Sequence, residues 1–280
     1  MTGKLFLAMM TSALIATGAQ AQEWQSSAGG GLFVSQRSST DTDIDGNPFV
    51  GTYLTGEIAR DFGALRLSID GRLEFMSDGG EDDVYVTGPL HAGVLGLHLG
   101  RDFGKFYGGA FLGAGLFDGY DSDSPMSGTI GGLEFAVAVN EMISVTGQLG
   151  YLNAIGDPTD NEFEGMIARV GVDAQVSDRT LLSFSAENGF SKDCFVDCGD
   201  QPGEYFGLTV GAEYALNDRV TLVGSLTSLR IEDYDDPDTG TDTSVFVGAR
   251  IAFGAAAPSG PRLHTPIMPL RAAGWMEPLD

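Results

Sequence analysis

The chain has 280 residues; 39 are Asp or Glu and 15 are Lys or Arg, a formal net charge of −24. So acidic a chain lacks the clustered bases that neutralise phosphates, which excludes nucleic acid as a partner, and its two cysteines exclude a disulfide-built mini-scaffold. Its 41 glycines follow no Gly-X-Y period, which excludes collagen, and 42% hydrophobic residues exclude wholesale disorder.

Residues 1–21, MTGKLFLAMMTSALIATGAQA, read as an export signal. Lys4 is the positive start, Leu5 to Ala16 is an apolar stretch too short to cross a bilayer comfortably, and Ala19-Gln20-Ala21 is a small-residue cleavage site. The competing reading is a membrane anchor, which the cleavage site and the polar QEWQSS that follows disfavour. No later stretch has the unbroken apolar length of a membrane-spanning helix.

From residue 22 onward the dominant period is two, the signature of strands with one apolar face. In 65–75, Leu65, Leu67, Ile69, Leu73 and Phe75 share a face, opposite Arg66, Ser68, Asp70, Arg72 and Glu74. The pattern predicts twelve strands, over 27–35, 49–60, 64–76, 84–100, 105–117, 128–139, 143–153, 164–176, 180–190, 204–216, 220–231 and 243–253. Short connections rich in Asp, Asn and Gly lie at 61–63, 102–104, 140–142, 177–179 and 217–219, where such residues form tight turns. They alternate with longer polar connections at 36–48, 77–83, 118–127, 154–163, 191–203 and 232–242. Within 84–100 the apolar parity switches near Val94-Leu95-Gly96, which predicts a β-bulge that turns both His91 and His98 inward. The last segment, 254–280, is rich in Pro and Ala and reads as a disordered periplasmic tail. The alternative for it is a docking segment, with Arg262, Arg271 and Trp275 on peptidoglycan or another periplasmic partner.

A soluble sandwich or lipocalin would hide its alternating apolar face inside. Three features favour the inverse arrangement. Charges of both signs sit with glycines on the other face, as in a polar lumen. The strands have the length a tilted membrane strand needs. Aromatics gather at strand ends: Phe75, Phe117, Tyr151, Phe163 and Phe190 beside the long loops, and Phe62, Phe103, Phe106, Tyr214 and Phe253 beside the short turns. In lipid, only a closed barrel gives every backbone polar group in such strands a partner.

The export signal, the amphipathic hairpins, the short turns opposite long loops and a last strand ending at Phe253 resemble a Gram-negative outer-membrane β-barrel protein, porin-like in the loose sense. The resemblance covers nearly all of 22–253 at the level of pattern. It implies an all-β, antiparallel, transmembrane up-and-down barrel of about twelve strands, with short periplasmic turns and long acidic extracellular loops. It also implies contacts with outer-membrane lipid, lipopolysaccharide and the barrel-assembly machinery. One departure is that such barrels often end at the aromatic of the last strand, whereas 27 residues follow Phe253.

The long loops and their edges hold 24 acids against Arg37 and Lys192, so the charge is concentrated at one rim. Three readings of that rim stand side by side: a solvated surface, weak Ca²⁺ binding, and an electrostatic bias toward cations entering a pore. Asp41, Asp43 and Asp45, followed by Gly46, match the opening of a calcium loop, although Thr52 stands where a bidentate Glu is expected. Asp236, Asp238 and Asp242 form a looser cluster of the same kind. Cys194 and Cys198, in CFVDC, are expected to form a local disulfide after export, with a metal site as the rival reading.

The inward charges expected from parity are Glu57, Arg66, Asp70, Arg72, Glu74, Glu134, Arg169, Asp173, Glu187, Glu213 and Arg250. Hairpin register brings Glu57 near Arg66 and Arg169 near Glu187. With the bulge, His91 falls near Ser68 and Asp70, a hydrolase-like trio that any barrel offers by chance, and no nucleophile elbow accompanies it. Gly113-Ala114-Gly115 lacks the context of a nucleotide loop and suits close strand packing. The expected function is a passive channel for small hydrophilic solutes with a cation bias, narrow and partly obstructed by loops, with no reaction and no cofactor beyond weakly held Ca²⁺. The alternative is a non-conducting surface barrel whose acidic loops serve adhesion, divalent-cation binding or envelope integrity.

Overall fold

The computed structural model describes residues 24–39, 48–76, 91–117, 126–155, 162–191, 203–233, 239–253 and 261–273. Twelve strands follow in chain order: β1 Trp24–Ser39, β2 Phe49–Phe62, β3 Leu65–Met76, β4 His91–Asp102, β5 Phe106–Phe117 and β6 Met126–Ala138. The second half is β7 Ile143–Ile155, β8 Glu162–Ser177, β9 Thr180–Ser191, β10 Gly203–Ala215, β11 Val220–Asp233 and β12 Thr239–Phe253. Each strand pairs antiparallel with its neighbours in sequence, and β1 pairs with β12 to close the barrel. Closure leaves no open edge, so the ladder itself satisfies the wall's backbone.

The turn chemistry read from the sequence is visible in the short connections. Gly63 and Gly104 adopt positive φ, 65° and 90°, which a residue with a Cβ rarely adopts. Asp102 Oδ1 accepts from Gly104 N at 2.6 Å. Asn140 Oδ1 accepts from the amides of Met142 and Ile143, and Asn217 Oδ1 from those of Arg219 and Val220. Each side chain closes the turn from within.

The outer wall is apolar. Leu32, Val34, Leu97, Leu99, Leu112, Leu149, Val170, Val210, Val247 and Ile251 project from it, and Leu133 is 67% exposed. A soluble protein does not expose so continuous an apolar belt; a lipid-facing barrel does. Phe62, Phe103, Phe106, Tyr214 and Phe253 are exposed at the short-turn end, and Phe75, Tyr151 and Phe190 toward the long-loop end. The side chains of Phe117 and Phe163 lie outside the described residues.

Two expectations are corrected. The first is the bulge in β4. Its register with β3 and β5 is unbroken, and the one register shift in the barrel's pairing falls between Gln175 and Ser177. Residues 92, 94, 96, 98 and 100 therefore all face inward, and His91 faces outward, its ring edge-on to Phe75 at 5.6 Å. The second is the tail. Residues 261–273 are not a periplasmic extension: they lie inside the barrel, ending in the short helix α1, Met268–Ala273. Arg262 meets Glu213 near the turn at 216–219, and Arg271 meets Glu74 near the other end of β3. The segment thus climbs the lumen from the short-turn mouth toward the long-loop mouth.

The apolar parity that resembled a bulge has this segment as its cause. Ala92, Val94, Phe111, Ile130, Leu152, Ile167, Tyr205, Leu229 and Ile231 point inward from the wall and form one buried cluster with Met268, Leu270 and Ala272. Glycines on the same inner face make room for it. A Cβ at Gly96 would collide with the side chain of Thr265, one at Gly115 with Leu270 and one at Gly207 with Met268.

Candidate functional site

The candidate site is the lumen, built from inward positions of the wall and the segment threaded through it. Near the short-turn mouth, Arg66 lies 3.1 Å from Asp61 and 3.8 Å from Glu57. Glu213 takes two contacts from Arg250, at 3.1 and 2.5 Å, and one from Arg262 at 2.6 Å. Asp173 faces a cavity of about 130 Å³ shared with Arg169, Arg262 and His264.

At mid-depth His98 is 1% exposed, and carboxylates hold both ring nitrogens: Asp70 Oδ1 at 2.6 Å from Nε2 and Glu134 Oε2 at 2.7 Å from Nδ1. One carboxylate faces each ring nitrogen, so the three groups form one buried hydrogen-bonded unit. Glu134 also accepts from Tyr107 Oη at 3.2 Å and Gln148 Nε2 at 3.4 Å. Thr265 joins this unit from the segment, donating its backbone N–H and its hydroxyl to Asp70 at 3.1 and 2.9 Å. The carbonyl of His264 accepts from Gln148 at 3.2 Å and Arg169 at 3.4 Å. Across the lumen, Arg169 lies 3.9 Å from Glu187, which accepts from Tyr205 Oη at 2.8 Å.

Toward the long loops, Glu74 is 1% exposed and sits between two guanidiniums. Arg72 Nε reaches Oε1 at 2.6 Å; Arg271 Nε and Nη2 reach Oε2 at 2.7 and 2.5 Å. Both guanidiniums also stack on Phe246, at 4.6 Å for Arg72 and 5.1 Å for Arg271, and Arg72 lies 5.2 Å from the Tyr53 ring. Charge-assisted pairing and ring contact together hold the end of the segment. Beside it a cavity of about 270 Å³ remains, lined by Glu57, Arg72, Arg169, Glu187, Glu213 and Arg250 among others.

The eleven charges singled out by parity therefore all line the lumen or lie buried against it. The inward parity that brings them there also brings His98, Tyr107, Gln148 and Tyr205, whose roles parity alone does not disclose. The hydrolase-like trio is not assembled: His91 is on the outer face, and both ring nitrogens of His98 are taken by carboxylates. Asp242 is not a loop ligand. It lies in β12, turned inward, and accepts from Ser35 at 2.6 Å and Ser244 at 2.8 Å. Asp41, Asp43, Asp45, Asp236 and Asp238 lie outside the described residues, as do Cys194, Cys198 and Trp275. Among the described residues no group of three or more His, Cys, Asp or Glu has the geometry of a metal site.

No known protein family and no curated protein sequence matches the chain. Solved structures do match in fold. The NanC porin covers 79% of this chain, with 98% of its own length matched, at 7% identity and a TM-score of 0.52. The KdgM porin gives the same coverages at 11% identity and a TM-score of 0.46. An anion-selective porin from Comamonas acidovorans covers 82%, with 99% of its own length, at 12% identity and a TM-score of 0.42. At such identities the likeness is one of fold. With its closed antiparallel wall, apolar exterior and polar lumen, the chain has the fold of a porin-like outer-membrane β-barrel.

Proposed function

We propose that the protein is an outer-membrane channel for small hydrophilic solutes, biased toward cations and narrowed by its own C-terminal segment. The observation that carries this reading is the charge-lined cavity of about 270 Å³ beside that segment. Twelve strands enclose more space than wall side chains alone can fill. In the orientation usual for such barrels, the short turns face the periplasm and the acidic loops face outward, where they concentrate cations at the mouth. The lumenal wall adds to that bias. Among the described residues Glu57, Asp70, Glu74, Glu134, Asp173, Glu187, Glu213 and Asp242 face four arginines, Arg66, Arg72, Arg169 and Arg250, and His98.

A second reading, a non-conducting surface barrel whose acidic loops bind Ca²⁺ or stabilise the envelope, draws on the apolar cluster that surrounds Met268 and Leu270. Planar-bilayer recording under a salt gradient separates the two. Discrete steps with a cation-directed reversal potential are expected; a correctly folded barrel that stays silent even when the chain is ended after Phe253 would favour the second reading.

A further inference from the structure

We propose that the lumen is a receptor for the chain's own C-terminal segment, and that this segment is an autoinhibitory plug that sets both permeability and charge selectivity. The proposal rests on the channel reading for its consequence, though the docking stands on its own contacts. Three features of 261–273 mark it as a fitted occupant. It is anchored by ions at two depths, Arg262 on Glu213 and Arg271 on Glu74, with Thr265 on Asp70 between them. Its apolar residues alternate with these anchors and fill a cluster that the wall provides at inward positions otherwise polar in such barrels. The wall is carved to receive it at Gly96, Gly115 and Gly207.

The composition suits an enclosed site. Pro261, Pro266 and Pro269 carry no N–H, so at these positions the segment brings no backbone donor that the enclosed space must satisfy. Pro269 also stands in the first turn of α1, where the missing N–H has no intrahelical partner to lose.

The charge consequence is direct. Arg262 and Arg271 are counter-ions to Glu213 and Glu74. Removing the segment takes two guanidiniums from a wall that already has more carboxylates than arginines, and frees Asp70 from Thr265. The bare lumen is wider and more negative, and conducts more with a stronger preference for cations.

The test compares three proteins in planar bilayers: the full chain, the chain ended after Phe253, and the full-length double variant Arg262→Gln/Arg271→Gln. Heat-modifiable gel mobility verifies that each barrel is closed. Truncation is expected to raise conductance severalfold and move the reversal potential toward the cation's equilibrium value, with the double variant intermediate. A fluorescently labelled peptide of residues 254–280 is expected to bind the truncated barrel and return its conductance to the full-chain level. Equal conductance and selectivity in all three proteins would overturn the plug while leaving the channel reading intact. If none conducts, the channel reading falls and peptide binding decides the receptor: no binding overturns it. If the truncated chain does not close, the double variant decides alone, and conductance unchanged from the full chain overturns the proposal.

Discussion

Replacing Arg271 by Met isolates the contribution of the upper anchor. Arg271 is 2% exposed and donates twice to one oxygen of Glu74, which is itself 1% exposed. Removing one partner of a buried pair costs about 3–5 kcal/mol when the other charge is left without compensation. Here Arg72 keeps its 2.6 Å contact with the second oxygen of Glu74, so compensation is partial and about 2–3 kcal/mol is expected. At 1.4 kcal/mol per decade, that weakens docking roughly 30- to 150-fold. Hydrogen exchange of the segment reads this directly. The amides of Leu270 and Arg271 bond to Ile267 O and that of Thr265 to Asp70, so all three are protected only while the segment is docked. Their protection should fall by that factor, while the amides of β3 and β4 keep theirs. A double-mutant cycle with Glu74→Gln should return a coupling of at least about 1 kcal/mol. Unchanged protection at the three amides, or an equal loss throughout the barrel, would refute docking as a local event held by this pair.

Three further outcomes follow from the same geometry. Gly115→Val drives a branched side chain into Leu270 without altering any charge; protection of the segment should drop as it does for Arg271→Met, and a null result would show that the inner face yields. His98→Leu leaves Asp70 and Glu134 buried without the ring that joins them, which should lower stability by about 2–4 kcal/mol, measured as the midpoint of urea unfolding in lipid vesicles; an unchanged midpoint would show that Tyr107, Gln148 and Thr265 suffice. Leu133→Arg places a charge on the lipid face of β6, which should cost about 2–4 kcal/mol in the same assay, whereas Thr209→Arg on the lumenal face should cost far less.

The barrel was legible in the sequence because its rule is local and repeated. Alternation assigns each residue to lipid or lumen, and Asp, Asn and Gly mark the turns, so strand number and the neighbours Glu57–Arg66 and Arg169–Glu187 can be read without tertiary information. The His98 unit was not legible in this way. Asp70, His98 and Glu134 come from β3, β4 and β6, and Glu134 meets His98 across the intervening β5. The segment left a trace that is easily misassigned. Val94 and Ala92 are apolar at lumenal positions, and a rule that equates apolar with lipid-facing must read them as a change of phase. Their partners, Met268 and Leu270, lie far along the chain in a stretch whose prolines suggest no fold at all.

The burial of the wall's charges and the presence of the segment are two sides of one fact. In a barrel of this width, inward side chains meet water unless something else fills the space. Glu74 and Asp70 are nearly inaccessible because Arg271 and Thr265 lie against them. Docking therefore strips water from carboxylates that the bare lumen would leave solvated, a cost that buried pairing offsets only in part. The apolar contacts of Met268, Leu270 and Ala272 supply the remaining attraction. Opposing terms of this size leave a modest balance, and a balance of that kind shifts with ionic strength: salt stabilises the undocked, exposed charges more than the buried pairs. A plug held by ion pairs at two depths, the upper one beside a hydrophobic seat, is thus one that can be released without unfolding the wall, since no strand of the closed barrel takes its pairing from residues 261–273.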